Sequence, residues 1–356
     1  MHMELQILWF VLIAVLWAGY LVLEGFDFGV GMLLPVLGRT DTERRVLINT
    51  IGPVWDGNEV WLITAGGATF AAFPEWYASL FSGFYLPLLL ILLALIVRGV
   101  SFEYRGKIDD PRWAAWADRG IIVGSWVPAI LWGVAFANLV RGVELDADHI
   151  FTGGFFSLLS PFALLGGLVT LGLFLTHGAV FLALKTDGDV RVRARALALK
   201  LSIGSAAVAA VWAIWAQLAY SVAWTWAAVV VAAVALGVVV LRTSQGKELR
   251  AFVASVAAIL AAVVLIFGSM YPDVMPAVDP ANSLTITNAS STAYTLTVMT
   301  WVAAFLVPVV LVYQTWTFWV FRRRLSVEDI PAPHGLSLRK VRTALHDAFE
   351  VGSTKS

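Results

Sequence analysis

The sequence predicts an all-α integral membrane protein with nine transmembrane helices, on three observations. Apolar runs of twenty or more residues recur from Ile7 to Val320, only 13% of residues are charged, and the basic residues crowd into alternate connections. A soluble domain carries about 25% charged residues, and the mean hydropathy here is +0.82. Each run can cross a hydrocarbon core about 30 Å thick. A net charge of +0 over 356 residues argues against a nucleic-acid partner, which needs clustered Lys and Arg. With no cysteine, disulfides, thiolate metal sites and cysteine nucleophiles are excluded.

The first run, Ile7–Leu34, has no Lys or Arg before it and no small-residue cleavage site after it. It is also too long for a signal-peptide core, so it reads as a permanent span. Val46–Phe73, Trp76–Val97, Gly120–Val140 and Phe155–Leu184 follow. Leu201–Tyr220 and Ala223–Leu241 meet near Ser221 with neither Gly nor Pro to mark a turn. A single helix from Leu201 to Leu241 would run about 61 Å, twice the membrane, so a tight hairpin is expected. Phe252–Met270 and Met299–Val320 complete the nine. Between them Tyr271–Met299, rich in Ser, Thr, Asn and Pro, reads as an ordered cap over the helix ends.

Alternate connections and the C-terminal tail hold 23 of the 24 basic residues, with Arg141 alone on the opposite side. Such a bias marks the cytoplasmic face. It places the N-terminus outside and the C-terminus inside, and an even number of helices would break it. The chain divides into a transmembrane domain, 1–325, and a cytoplasmic tail, 326–356. In the tail, Leu338, Val341, Leu345 and Phe349 recur at helical spacing with Arg339, Lys340 and Arg342 between them. That is the pattern of an interfacial amphipathic helix lying on the lipid bilayer. Trp9, Trp76, Trp126, Trp224 and Trp226 near helix ends read as an interfacial aromatic belt.

The first two helices carry the chemistry. Glu24 and Asp27 lie in EGFDFGVGM, and Asp56 and Glu59 in VWDGNEVWL. A charge at mid-membrane costs about 2.5–3.5 kcal/mol even on the lenient scale. Residues three apart share a helix face, so each helix presents two acids together. Counting about 1.5 Å per residue from the cytoplasmic ends puts Glu24, Asp27 and Asp56 at a common depth, with Glu59 slightly deeper. Burial and nearby like charge favour the protonated form of a carboxyl. Such groups, with water, Asn58 and either Tyr20 or Thr64, suit a proton path opening to the cytoplasm. A buried polar network that holds helices or subunits together, with an acid paired to a partner's Arg, is the alternative. Replacing the acids by amides separates the two.

Other candidates carry less. The glycines at 25, 29 and 31 follow no strand and lie in a span, so with Gly66 and Gly67 they suit close helix packing rather than a phosphate loop. His177 is the one histidine inside a predicted span. As a cofactor ligand it stands against a hydrogen-bonded packing role, and no second histidine faces it to make a bis-His haem site. Neither a two-histidine zinc motif nor a nucleophile with its base is present. Arg98, Glu103, Tyr104 and Arg105 suit surface salt bridges or a partner contact.

The runs GFDFGVGML, GRTDTERRVLINTIGPVWDGNEVWLITAGGATFAAFP and FSGFYLPLLLIL, with YPDVMPAVDPANSLTITNASSTAYTLTVMTWVAAFLVPVVLVYQTW near the end, resemble subunit II of cytochrome bd quinol oxidases. The resemblance implies an obligate partner, subunit I, that carries the quinol site, two b-type haems and one haem d. The pair would oxidise quinol and reduce dioxygen to water in the bacterial plasma membrane, building a proton-motive force without pumping. It implies two four-helix bundles plus a peripheral ninth helix. It makes Asp56 the aspartate of the WDGN motif that lines a proton channel toward the haems, with Trp55 beside it. Small accessory membrane subunits and a bound structural quinone occur in some members. Glu24 stands where Asp is frequent, Glu59 where Gln is frequent, and the connection between helices 6 and 7 is short, so a quinone site there does not carry over. A proton-coupled transporter using the same acids, which should work alone, and a purely structural scaffold are the other readings.

Overall fold

The computed structural model describes residues 2–332 and 335–337 and is built from helices. In chain order they are α1 (His2–Leu37), α2 (Asp41–Ile51), α3 (Trp55–Ala72), α4 (Pro74–Gly83), α5 (Tyr85–Tyr104), α6 (Pro111–Arg141), α7 (Pro161–Lys185), α8 (Gly188–Ala219), α9 (Trp226–Ser244), α10 (Glu248–Met270) and α11 (Ala293–Val320). Among the described residues, eight helices are long and apolar enough to cross a membrane: α1, α5 to α8, α10, α11 and the stretch Ala223–Ser244 containing α9. The amphipathic pattern at Leu338, Val341, Leu345 and Phe349 lies outside the described residues.

Two expected spans are divided. The run expected to begin at Val46 is α2 followed by α3. Thr40 caps α2 in a reciprocal capping box with Glu43, and the Gly52–Pro53 pair ends it because proline has no N–H to continue the ladder. The run from Trp76 is α4 and α5, joined at Phe84, where backbone bonds to Leu80 and from Leu88 persist. Pro87 removes one rung there, so this is a kink rather than a turn. Pro161 likewise sets the start of α7, with Ser160 as its N-cap, and leaves Phe155–Leu158 as a short 3-10 turn. The hairpin expected near Ser221 is present, between the end of α8 and Ala223.

Helix α1 is the axis of the molecule, packed against α3, α6, α7 and α10. Its closest approach is to α7: a Cβ on Gly29 would sit 2.2 Å from the Phe174 carbonyl oxygen and 2.7 Å from Gly178 Cα. Gly31 meets Ser125 of α6 in the same way. Gly66 and Gly67 do not serve close packing within the chain, because nothing lies within 4 Å of a Cβ on either. Helices α7 to α10 pack on one another in sequence order. Helix α11 touches only α1 and α3 appreciably, and Leu296 is its one buried residue.

The segment before α11 forms the expected cap. A two-strand ribbon pairs Asp273–Met275 with Leu284–Thr285. Ser290 accepts from Gln6 Nε2 at 2.6 Å, and the Ser291 N–H donates to the Ala72 carbonyl at 2.8 Å, tying α1 and α3 together at that end. Two of the expected belt tryptophans belong to the interior. Trp9 is 5% exposed and donates to Leu296 O and Thr300, whereas Trp76 is 2% exposed. Trp126, Trp224 and Trp226 are exposed.

A carboxylate cluster around Arg98

Three helices bring the site together. Glu24 and Asp27 come from α1, Asn58 and Glu59 from α3, and Arg98 from α5. Arg98 Nη1 donates to Glu24 Oε2 at 2.7 Å and to Glu59 Oε1 at 2.8 Å. Its guanidinium lies over the Phe28 ring at 4.6 Å and the Phe102 ring at 5.3 Å. Asn58 Nδ2 donates to Asp27 Oδ2 at 2.7 Å. Glu24 and Asp27 are fully buried, Arg98 is 1% exposed, and the Glu59 side chain is 18% exposed. Arg98 is therefore neither at the surface nor contributed by a partner; it is the internal counter-charge.

Asp56 is one turn away from Glu59 but outside this network. It is exposed on the chain's own surface, with no hydrogen bond or ion pair to another described residue. Trp55 beside it is half-buried, its ring 5.3 Å from that of Phe102. Tyr20 is buried and accepts from Trp132 Nε1 at 3.1 Å. Thr64 is exposed and donates to its own helix at Val60.

One guanidinium faces a surplus of acids, and the hydrogen-bond count is incomplete. Glu24 Oε1, Asp27 Oδ1, Arg98 Nε and Arg98 Nη2 are buried without a partner among the described residues. A buried polar atom left without a partner costs about 1–3 kcal/mol, so the cluster calls for water or protons. Sequence reasoning set Arg98 at the surface or a partner contact and missed its place in the cluster, although one signal pointed to it: a lone cation in the run from Leu86 to Val100 must find an acid.

Between α3 and α5, where the two helices splay apart, lies a cavity of about 560 Å³. Gly66, Gly67, Leu88, Trp17, Trp76 and Trp132 line it, and the Trp76 indole N–H is buried without an acceptor among the described residues. A flat apolar ring fits such a lining. His177 offers nothing comparable: its Nδ1 meets Ser255 Oγ at 2.7 Å, its Nε2 meets Val22 O at 3.1 Å, and Phe252 stacks on it. Among the described residues no group of three or more His, Asp or Glu is placed to hold a metal ion.

Membrane-length helices around a buried, acid-rich polar cluster define a polytopic membrane protein with ionisable groups at its core. The sequence profile of the cytochrome bd terminal oxidase subunit II family matches residues 5–321. The chain is 43% identical to subunit 2 of the cytochrome bd-I ubiquinol oxidase of Escherichia coli, over 92% of this chain and 96% of that one. It is 42% identical to subunit 2 of the cytochrome bd ubiquinol oxidase of Bacillus subtilis, over 92% and 98% of the two chains. A chain of the bd oxidase from Geobacillus thermodenitrificans shares the fold, with a TM-score of 0.73 at 18% identity, covering 89% of this chain and 97% of that one. The protein belongs to the cytochrome bd terminal oxidase subunit II family.

Proposed function

We propose that this chain is the haem-free second subunit of a quinol:oxygen oxidoreductase and supplies its partner with protons from the cytoplasm. The reading rests above all on the cluster around Arg98. Carboxyls from two helices share one buried cation, keep oxygens unpaired among the described residues, and stand one helical turn from an acid on the chain's exterior. Asp56 is the outlet toward subunit I, and Trp55 shapes the contact. Glu59, Glu24, Asp27 and Asn58 carry the inner part of the route. Short proton steps between such groups and water need no metal and no redox change in this chain. The haems, two of b type and one of d type, are assigned to subunit I; the engagement of both His177 ring nitrogens by protein oxygens supports that assignment.

The eight membrane-length helices with α3 make nine spans. They group as α1, α3, α4–α5 and α6, then α7 to α10, with α11 at the edge. The basic connections set the N-terminus outside and the C-terminus in the cytoplasm of a bacterium. A bound quinone fits the largely apolar cavity between α3 and α5. Isolating the native complex tests the whole reading. A co-purifying partner with haem absorbance supports it, and a colourless chain that purifies alone favours a proton-coupled transporter instead.

A further inference from the structure

Helix α11 is nearly bare, yet it reaches the cluster through one side chain. Trp61 Nε1 donates to Gln314 Oε1 at 2.9 Å, and Gln314 Nε2 reaches Asn58 Oδ1 at 3.4 Å, the long end for such a bond. Asn58 Nδ2 then donates to Asp27 Oδ2. An indole N–H can only donate, so Trp61 decides which end of the Gln314 amide faces it. That leaves the Gln314 NH2 toward Asn58, which turns the Asn58 carbonyl to Gln314 and its NH2 to Asp27. Flipping Asn58 would set NH2 against NH2. The ring of Trp61 is itself wedged, because a Cβ on Gly19 would lie 2.1 Å from it. Donation thus runs one way along Trp61, Gln314 and Asn58, and ends on a carboxyl.

We propose that Gln314, oriented by Trp61, is a positioning residue that fixes Asn58 as a donor to Asp27 Oδ2 and so leaves Asp27 Oδ1 as the oxygen that takes and releases the proton. Asp27 Oδ1 is the buried oxygen with no partner among the described residues. The assignment rests on the proton-route reading of the cluster. It makes the seating of the peripheral helix a condition for proton transfer at its centre.

The test uses the complete oxidase purified with its partner. Turnover, KM for quinol and the infrared carboxyl bands are compared in the parent and in Asp27→Asn, Gln314→Met and Trp61→Phe. Asp27→Asn identifies the Asp27 band by its loss. Gln314→Met is expected to shift that band and lower kcat about fivefold at unchanged KM, the factor for one hydrogen bond of positioning. Trp61→Phe should move the band the same way, and the double variant should go no further than Gln314→Met, because both act through one lock. If Asp27→Asn slows turnover while the band stays fixed in both other variants, Gln314 only holds α11 in place and the inference is overturned. If Asp27→Asn turns over normally, the proton-route reading falls first and takes the inference with it.

Discussion

Helix α5 carries Arg98 and is followed at its C-cap by Arg105, seven residues on; each gathers acids, but the two clusters are built differently. Arg98 lies among Glu24, Glu59 and Asp27, with two of its own nitrogens and two carboxyl oxygens unpaired among the described residues. Arg105 donates to Asp118 at 2.6 Å and to Asp41 at 2.7 Å, and Arg44 donates to Asp118 at 2.9 Å. The second cluster sets two cations against two anions and leaves none of their buried side-chain atoms without a partner among the described residues. It joins the start of α2, the end of α5 and the start of α6, as a fastening would. The first has more acids than one cation can neutralise. The balanced cluster is complete in itself, whereas the unbalanced one needs water or protons to satisfy its buried atoms.

The largest effect should follow from removing the cation of the unbalanced cluster. Arg98→Leu strands Glu24 and Glu59 without their counter-charge, a loss of about 3–5 kcal/mol for a broken buried pair. It should show as poor assembly and a depressed melting temperature of the complex. Adding Glu24→Gln and Glu59→Gln should restore much of the loss. If the triple variant is no better than the single one, charge balance is not what Arg98 provides.

Asp56 tests the functional half of the comparison. Asp56→Asn removes no contact inside the chain, so assembly and haem content should be kept. Turnover should fall by about a hundredfold, the usual scale for a lost proton-transfer group. Unchanged oxygen consumption with quinol would remove Asp56 from the route. At the other cluster, Arg105→Leu should cost about 1–3 kcal/mol and leave per-complex turnover intact, because Asp118 retains Arg44. A turnover defect there would erase the distinction between the clusters.

How far the sequence revealed this contrast depends on the residue. The meeting of Glu24, Asp27 and Glu59 was legible in their spacing along each helix and in the short link between the two helices. The network's cation did not. Pro87 kinks the α4–α5 pair, so the face on which Arg98 lies is not set by counting from Trp76. Axial position is written in the sequence, whereas rotation about the helix axis depends on packing. Trp76 illustrates the same limit, since its place near a helix end suits an interface equally well until the splay of α3 from α5 opens a cavity for it. Gly29 and Gly66 look alike in sequence, yet only Gly29 meets a backbone. The α2–α3 break was legible in Gly52–Pro53, although the stretch from Val46 to Phe73 is also long enough to read as a single span.

The smallest expected effect belongs to Glu43, which fastens α2 to α8 next to the balanced cluster. Burial alone would raise its carboxyl, but hydrogen bonds from Arg193 and from the Arg39 backbone N–H, with the Arg193 charge, outweigh that and hold it below the usual range. Arg193 Nη2 lies 2.7 Å away. A carboxyl depressed in the folded state adds stability above its unfolded pKa of about 4.3, and that stability is lost as pH falls through the lower folded value. Glu43→Gln should therefore melt earlier than the parent at pH 7, with the gap closing as the pH drops below about 4. Melting curves of the detergent-solubilised complex across that range provide the check. A gap of equal size at both ends would mean that Glu43 acts only through the shape of its capping box with Thr40, which an amide preserves in part, and not through its charge.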